Sequence, residues 1–300
     1  MATRVARAIR LRVGRIRAAL RPVPPSEPDA AAPPSPAPGS VPGELFASAA
    51  PYYARYRPGY PEDLFDTLAG RLGFDGSQLV ADIGCGPGRA AIPLARRVRQ
   101  VVAIDPAPQM LAAGERAAVA AGVTNIIWRL GDSTRLGELG VAGAHAAVFA
   151  ASWHWMDRPR VAAALDELLD PAGALVIIDG CDDEEDHDWV RAIAEIRARY
   201  LGPVRRAGSG IYVPPQGRHR DLLLASPFAA AERLVYRWER RLTVDEAVGL
   251  QFSYSYSTPA MFGRRAEAFA ADVRGALLAL YPRGVVPDRL GVELLIAHRS

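Results

Sequence analysis

Lysine is absent from this chain of 300 residues; all 36 of its strongly basic side chains are arginine. With its many alanines, that reflects a GC-rich genome rather than a function. Cysteine is scarce, with only Cys85 and Cys181. So few thiols exclude a disulfide framework, a cysteine-rich zinc site and the three-cysteine cluster of radical enzymes. A reducing cytoplasm is the expected compartment. A long apolar run is also missing. Residues 139–156 carry no acid or arginine, but Gly140, Gly143, His145 and His154 fall inside them. They read as loop, strand and loop, not as a membrane span. The N-terminus has no uninterrupted apolar core, so it does not read as a secretory signal.

A basic excess is missing from most of the chain as well. The formal charge is +3, but residues 1–21 hold seven arginines and no acid, which leaves about −4 for the rest. Nucleic acid is therefore not the expected partner. What the chain does have is hydrophobic residues, 50% of the total, enough for one large α/β domain with additions.

Residues 3–21 have the pattern of a basic amphipathic helix, with Val5, Ile9, Val13, Ile16 and Leu20 on one face. Such a segment adheres weakly to an anionic membrane surface, or is a solvated tail or the product of an early start codon. Residues 22–43 are rich in Pro, Ala and Ser and read as a disordered linker. The folded domain is expected over residues 44–300, with residues 181–231 as a cap insertion.

The organising stretch is Asp82-Ile83-Gly84-Cys85-Gly86-Pro87-Gly88. A short buried strand over residues 79–83 precedes it, and residues 89–98 read as a helix after it. A glycine turn lets backbone pass close to a ligand, and a helix N-terminus aims free N–H groups at it. The dinucleotide fingerprint needs glycine at the first, third and sixth places. Counted from Gly84 the sixth place is Arg89, so that fingerprint fails. A second strand, residues 101–105, ends in Asp105. An acid at that distance holds ribose hydroxyls in doubly wound sheets.

Together these residues resemble the first motifs of the class I S-adenosylmethionine-dependent methyltransferases. From about residue 46 to 299 the chain is similar to small-molecule members, above all the trans-aconitate methyltransferase-like group. The resemblance rests on the glycine motif, the tyrosine-rich run from Tyr52 to Tyr60, the His154-Trp155 pair and the final apolar strand. It implies a doubly wound α/β fold: a mostly parallel seven-stranded sheet with an antiparallel last strand, plus a helical lid and cap.

The resemblance also implies site residues. Asp82, Gly84, Gly86, Gly88 and Asp105 would hold S-adenosyl-L-methionine. Pro106 and Met110 come just after Asp105, where residues line the adenine pocket, although Met110 also fits ordinary helix core. Asp132, with Ser133 beside it, matches the acid against the adenine amino group, and equally a turn or N-cap residue. Tyr52, Tyr56 and Arg57 fall in the lid, Tyr56 and Arg57 toward cofactor and Tyr52 toward substrate; the same rings could simply pack on the core.

Ser152-Trp153-His154-Trp155 follows the apolar run 146–151, read as strand four, at the carboxyl ends where open α/β sheets bind ligands. His154 is the only histidine placed there by sequence. Its ordinary pKa suits a general base; the alternative is a hydrogen bond to the lid. Trp153 and Trp155 could wall a substrate pocket.

Other chemistries lack their residues. No Asn/Asp-Pro-Pro-aromatic follows strand four, no cysteine sits there as a nucleophile, and no acid for a catechol-type metal appears before Asp157. No metal is expected. The expected activity is methyl transfer to a hydroxyl or carboxylate oxygen of a small molecule, by a monomer or homodimer. An NAD-type oxidoreductase and a non-catalytic cofactor-binding protein are the alternatives.

Overall fold

The structure, a computed structural model, describes residues 48–180, 188–204, 206–207, 210–211 and 219–299. The basic segment, the linker and the acidic run from Asp182 to Asp186 lie outside the described residues. The described residues divide into two compact units. One holds those within Pro58–Glu184, Val213–Trp238 and Leu290–Ser300, the other those within Met1–Arg57, Glu185–Tyr212 and Glu239–Arg289.

The first unit is built on a seven-stranded sheet. Its strands are β1 (Leu79–Ile83), β2 (Gln100–Asp105), β3 (Ile126–Leu130), β4 (Ala146–Ala150), β5 (Ala174–Gly180), β6 (Ala230–Thr243) and β7 (Val285–His298). The order is β3-β2-β1-β4-β5-β7-β6. The pairs among β1 to β5 are parallel, and β7 runs antiparallel to β5 with Ala174 opposite His298. The expected doubly wound sheet with its antiparallel last strand is thus found. β6 and β7 also contribute residues to the second unit.

The central strands are apolar on both faces, as parallel strands covered by helices must be. Val80, Val101, Ala146, Val148, Val176 and Ile178 face one core, with Leu64, Phe65 and Leu68 of helix α2 (Glu62–Leu72). Ala81, Ile83, Val102, Ala147, Phe149 and Ile177 face the other, with Val161 and Leu165 of helix α5 (Arg158–Leu168). Period-two alternation assigns each residue its face. It sets Asp82, fully buried, on the same face as Val80.

Two helices depart from the sequence pattern. The helix after the glycine turn, α3, covers only Ala91–Ala95 instead of residues 89–98. Pro93 has no N–H, and the Arg97 guanidinium takes its carbonyl at 2.8 Å, while the Arg97 amide bonds Leu94. Residues 259–281 have the apolar spacing of one long amphipathic helix, but Gly263, at φ +53°, breaks it. It becomes α9 (Pro259–Phe262), a 3₁₀ turn and α10 (Ala266–Leu280).

The second unit packs α6 (Asp188–Leu201), α8 (Val244–Gln251) and α10 around Phe252, Phe262 and Phe269. Thr243 and Glu246 form a full capping box at the start of α8. The first part of the tyrosine-rich run lies in helix α1 (Ala50–Tyr56) of this unit, while Tyr60 falls in the first unit.

Candidate active site

The glycine turn joins β1 to α3 across three left-handed residues: Gly84 at φ +72°, Gly86 at +52° and Gly88 at +79°. The glycines are needed for different reasons. A Cβ on Gly84 would stand 2.5 Å from Cβ of Ser152, and one on Gly88 would stand 2.7 Å from the Trp128 ring. A Cβ on Gly86 would meet nothing within 4 Å. Gly84 and Gly88 are thus closed in by protein, while Gly86 opens onto free space. The amides of Gly84 and Cys85 both donate to the Ile104 carbonyl, at 2.8 and 2.9 Å, so the turn is sewn to β2.

Asp105 ends β2. Its Oδ2 accepts from the Gly86 amide and its Oδ1 from the Ala107 amide, both at 2.8 Å. Burial raises its pKa, and these two bonds pull against that rise. Asp82 is more extreme. Neither of its carboxylate oxygens has a hydrogen bond of ordinary geometry. Burial, helped by the Asp105 charge and only partly offset by the Ala91 amide, pushes its pKa up to about 7. Two buried carboxyl groups next to an open glycine turn suit a cationic ligand. An acid ending β2 suits the ribose of either cofactor, so it is the glycine spacing, with Arg89 at the sixth place, that argues against an NAD-type dinucleotide.

The remaining sequence candidates fall as follows. Met110 is buried near the start of α4 (Pro108–Ala120), and Pro106 is half-buried. Asp132 and Ser133 are half-buried after β3, and Asp132 Oδ1 accepts from the Thr134 amide at 2.8 Å, an Asx turn. Trp153 is a correction. It is 1% exposed and packs edge-on against Phe149, 4.5 Å between ring centres. Its indole belongs to the core rather than to a pocket wall. Trp155 is half-buried, its ring 5.0 Å from that of His154.

Tyr52, Tyr56 and Arg57 belong to the second unit. Tyr52 packs on Phe252, and Arg57 lies over the Tyr254 ring at 4.1 Å. The Tyr56 ring lies against Gly249.

His154 sits in a 3₁₀ turn, Trp153–Trp155, just past β4. The chain enters it through Ala151, the one non-glycine residue at positive φ among the described residues (+54°). Ser152 Oγ donates to the Ile83 carbonyl at 2.5 Å and ties the turn to β1. Strain of this kind survives where the surroundings over-determine it.

His154 Nδ1 lies 2.9 Å from Asp179 Oδ2. His219 Nε2, in helix α7 (His219–Leu224), lies 3.0 Å from the same oxygen. Oδ1 of Asp179 accepts from the Gly180 amide at 2.9 Å. Burial works to raise the Asp179 pKa, but the hydrogen bonds from both histidines, the His154 charge and the Gly180 amide outweigh it. They hold the carboxyl below its ordinary range. His154 is therefore not the only histidine at the strand ends. Asp179 carried a signal in the sequence, an acid closing an apolar strand beside strand four. His219 carried none, because it lies in an irregular stretch far along the chain.

The comparisons agree with this geometry. Residues 80–173 match the family described as Methyltransferase domain, a span that includes the glycine turn, Asp105 and His154. An uncharacterized methyltransferase of Mycobacterium tuberculosis is 30% identical over 211 residues, 70% of this chain and 76% of the relative. This chain belongs to the class I S-adenosylmethionine-dependent methyltransferases. The methyltransferase is also similar in fold to two solved structures. One is a candidate type II methyltransferase from Anaeromyxobacter dehalogenans, with TM-score 0.54, 23% identity, and 81% of this chain and 98% of that one covered. The other is the [4+2]-cyclase SpnF, with TM-score 0.51, 17% identity, and 86% and 95% covered. At these identities the likeness speaks for the fold alone. The trans-aconitate subgroup finds no support among these relatives.

Proposed function

We propose that this methyltransferase acts on an oxygen of a small molecule, with His154 as the base that takes the acceptor's proton. One observation carries this reading. The His154 ring is held by Asp179 beyond the carboxyl ends of β4 and β5, in the same unit as the glycine turn. Bound S-adenosylmethionine supplies a methyl group on a positively charged sulfur. Gly86 gives the cofactor close backbone approach, with Gly84 and Gly88 shaping the turn. Asp105 accepts from the ribose hydroxyls. Pro106, Met110, Asp132 and Ser133 border the adenine, and the buried Asp82 adds negative field. Trp155, beside His154, borders the acceptor.

Positioning supplies much of the rate of an in-line methyl transfer. An oxygen nucleophile that carries a proton must also lose it, and a neutral imidazole suits that task near neutral pH. The test is His154→Ala on the true acceptor. With a hydroxyl acceptor, kcat should fall by about 10²–10⁴-fold. With a carboxylate acceptor, KM should rise while kcat holds. Wild-type values of both constants would make His154 structural.

A further inference from the structure

From the way one oxygen of Asp179 bridges His154 and His219, we infer that the acceptor is a neutral hydroxyl, an alcohol or phenol, and not a carboxylate. This rests on the proposed methyl transfer to oxygen and narrows it. Nδ1 of His154 and Nε2 of His219 reach the same carboxylate oxygen, at 2.9 and 3.0 Å. A carboxylate oxygen only accepts, so each ring must donate an N–H there. In the neutral rings that fixes both tautomers, and Nε2 of His154 and Nδ1 of His219 are left as lone pairs.

The two histidines then divide the work. The side chain of His154 is 21% exposed, and its Nε2 is the acceptor it offers to a substrate. His219 Nδ1 is buried with no hydrogen-bond partner, so His219 meets no substrate through it. It is a positioning residue that holds Asp179 from the far side. A lone pair tolerates such burial better than an N–H does. The same fact weighs against a metal, although the three ligand atoms lie within 4.8 Å of one another. A metal on Nε2 of His219 would force a buried, unpartnered N–H at Nδ1, whereas ligating imidazoles normally donate that proton.

A hydroxyl matches this arrangement because it brings the proton that Nε2 of His154 accepts. As the proton moves to Nε2, a lone pair of the hydroxyl oxygen forms the new O–C bond. The S–C bond breaks with its electron pair going to sulfur, which leaves S-adenosylhomocysteine. A carboxylate brings no proton, faces a lone pair and adds a second negative charge near Asp179.

The test reads tautomers directly, by ¹⁵N NMR of imidazoles in the full chain at about pH 8, where free imidazole is neutral. His154 should be the Nδ1–H form and His219 the Nε2–H form. In Asp179→Asn the His154 ring should lose its single tautomer, and in His219→Gln, where the amide can still donate to Asp179, it should keep it. If Asp179→Asn does not fold, the wild-type spectrum still decides. A second arm titrates benzoate into protein saturated with S-adenosylhomocysteine. No saturable shift of the His154 resonances is expected.

The Nε2–H form of His154, a stoichiometric divalent metal by elemental analysis, or saturable benzoate binding at His154 would each overturn the inference. Calorimetry of S-adenosylhomocysteine on the same preparation tests the methyltransferase reading separately, since the tautomers are read without cofactor.

Discussion

The amide of Gly86 donates to Oδ2 of Asp105 at 2.8 Å, which latches the turn after β1 to the acid that ends β2. One substitution therefore removes the latch together with the carboxylate proposed to accept from the ribose. Asp105→Ala should cost about 1.5–3 kcal/mol of cofactor binding, or roughly ten- to hundredfold in Kd. Calorimetry with S-adenosylhomocysteine measures it, and unchanged affinity would overturn the role given to Asp105.

Gly84 and Gly86 should respond differently to alanine. Both have positive φ, so each substitution carries about 1 kcal/mol of backbone strain. Only at Gly84 does the new methyl also collide with Ser152. Gly84→Ala should lower the melting temperature by several degrees more than Gly86→Ala. Gly86→Ala should stay folded and lose cofactor affinity instead. Equal melting temperatures would count against the packing of Ser152 on the turn.

Asp82 should make stability depend on pH. Its carboxyl titrates near 3.8 when exposed and at about 7 in the fold. A group raised in this way contributes stability that is complete below about pH 4 and lost as pH rises to about 7. The loss amounts to as much as ~4 kcal/mol, at 1.36 kcal/mol per pH unit. In Asp82→Asn the slope of melting temperature against pH between about pH 5 and 7 should flatten. An unchanged slope would mean that another group causes it.

Gly249 lies in the last turns of α8, where helix propensity alone favours alanine by about 1 kcal/mol. The Tyr56 ring reverses the sign, because an added Cβ would stand 2.4 Å from its Cε2. Gly249→Ala should destabilise by about 1–3 kcal/mol in urea unfolding. Tyr56→Leu combined with it should recover part of that loss. A stabilised Gly249→Ala would show that the ring moves away freely.

Much of the fold was legible in the chain because its signals are local. Strands β1, β2, β3 and β5 announce themselves as short apolar runs ended by glycine or acid, and β4 as an apolar run that leads into Ala151-Ser152. The glycine spacing separates this turn from a dinucleotide turn, and Thr243 is a recognisable N-cap for α8. The sequence pattern misjudged α3 and the break at Gly263. A proline tolerated in a first turn and one left-handed glycine leave the apolar periodicity intact.

The sequence by itself determined the family, the cofactor and the residues of the first two strand ends, because turn chemistry and strand periodicity lie within a few neighbouring residues. Only the tertiary structure decided which side chains meet beyond them. It sent Trp153 into the core, and it set Asp179 between His154 and His219, partners 25 and 40 positions away in the chain. Hydrogen bonds between such distant positions depend on strand order and on where a helix returns to the sheet. No local preference encodes either.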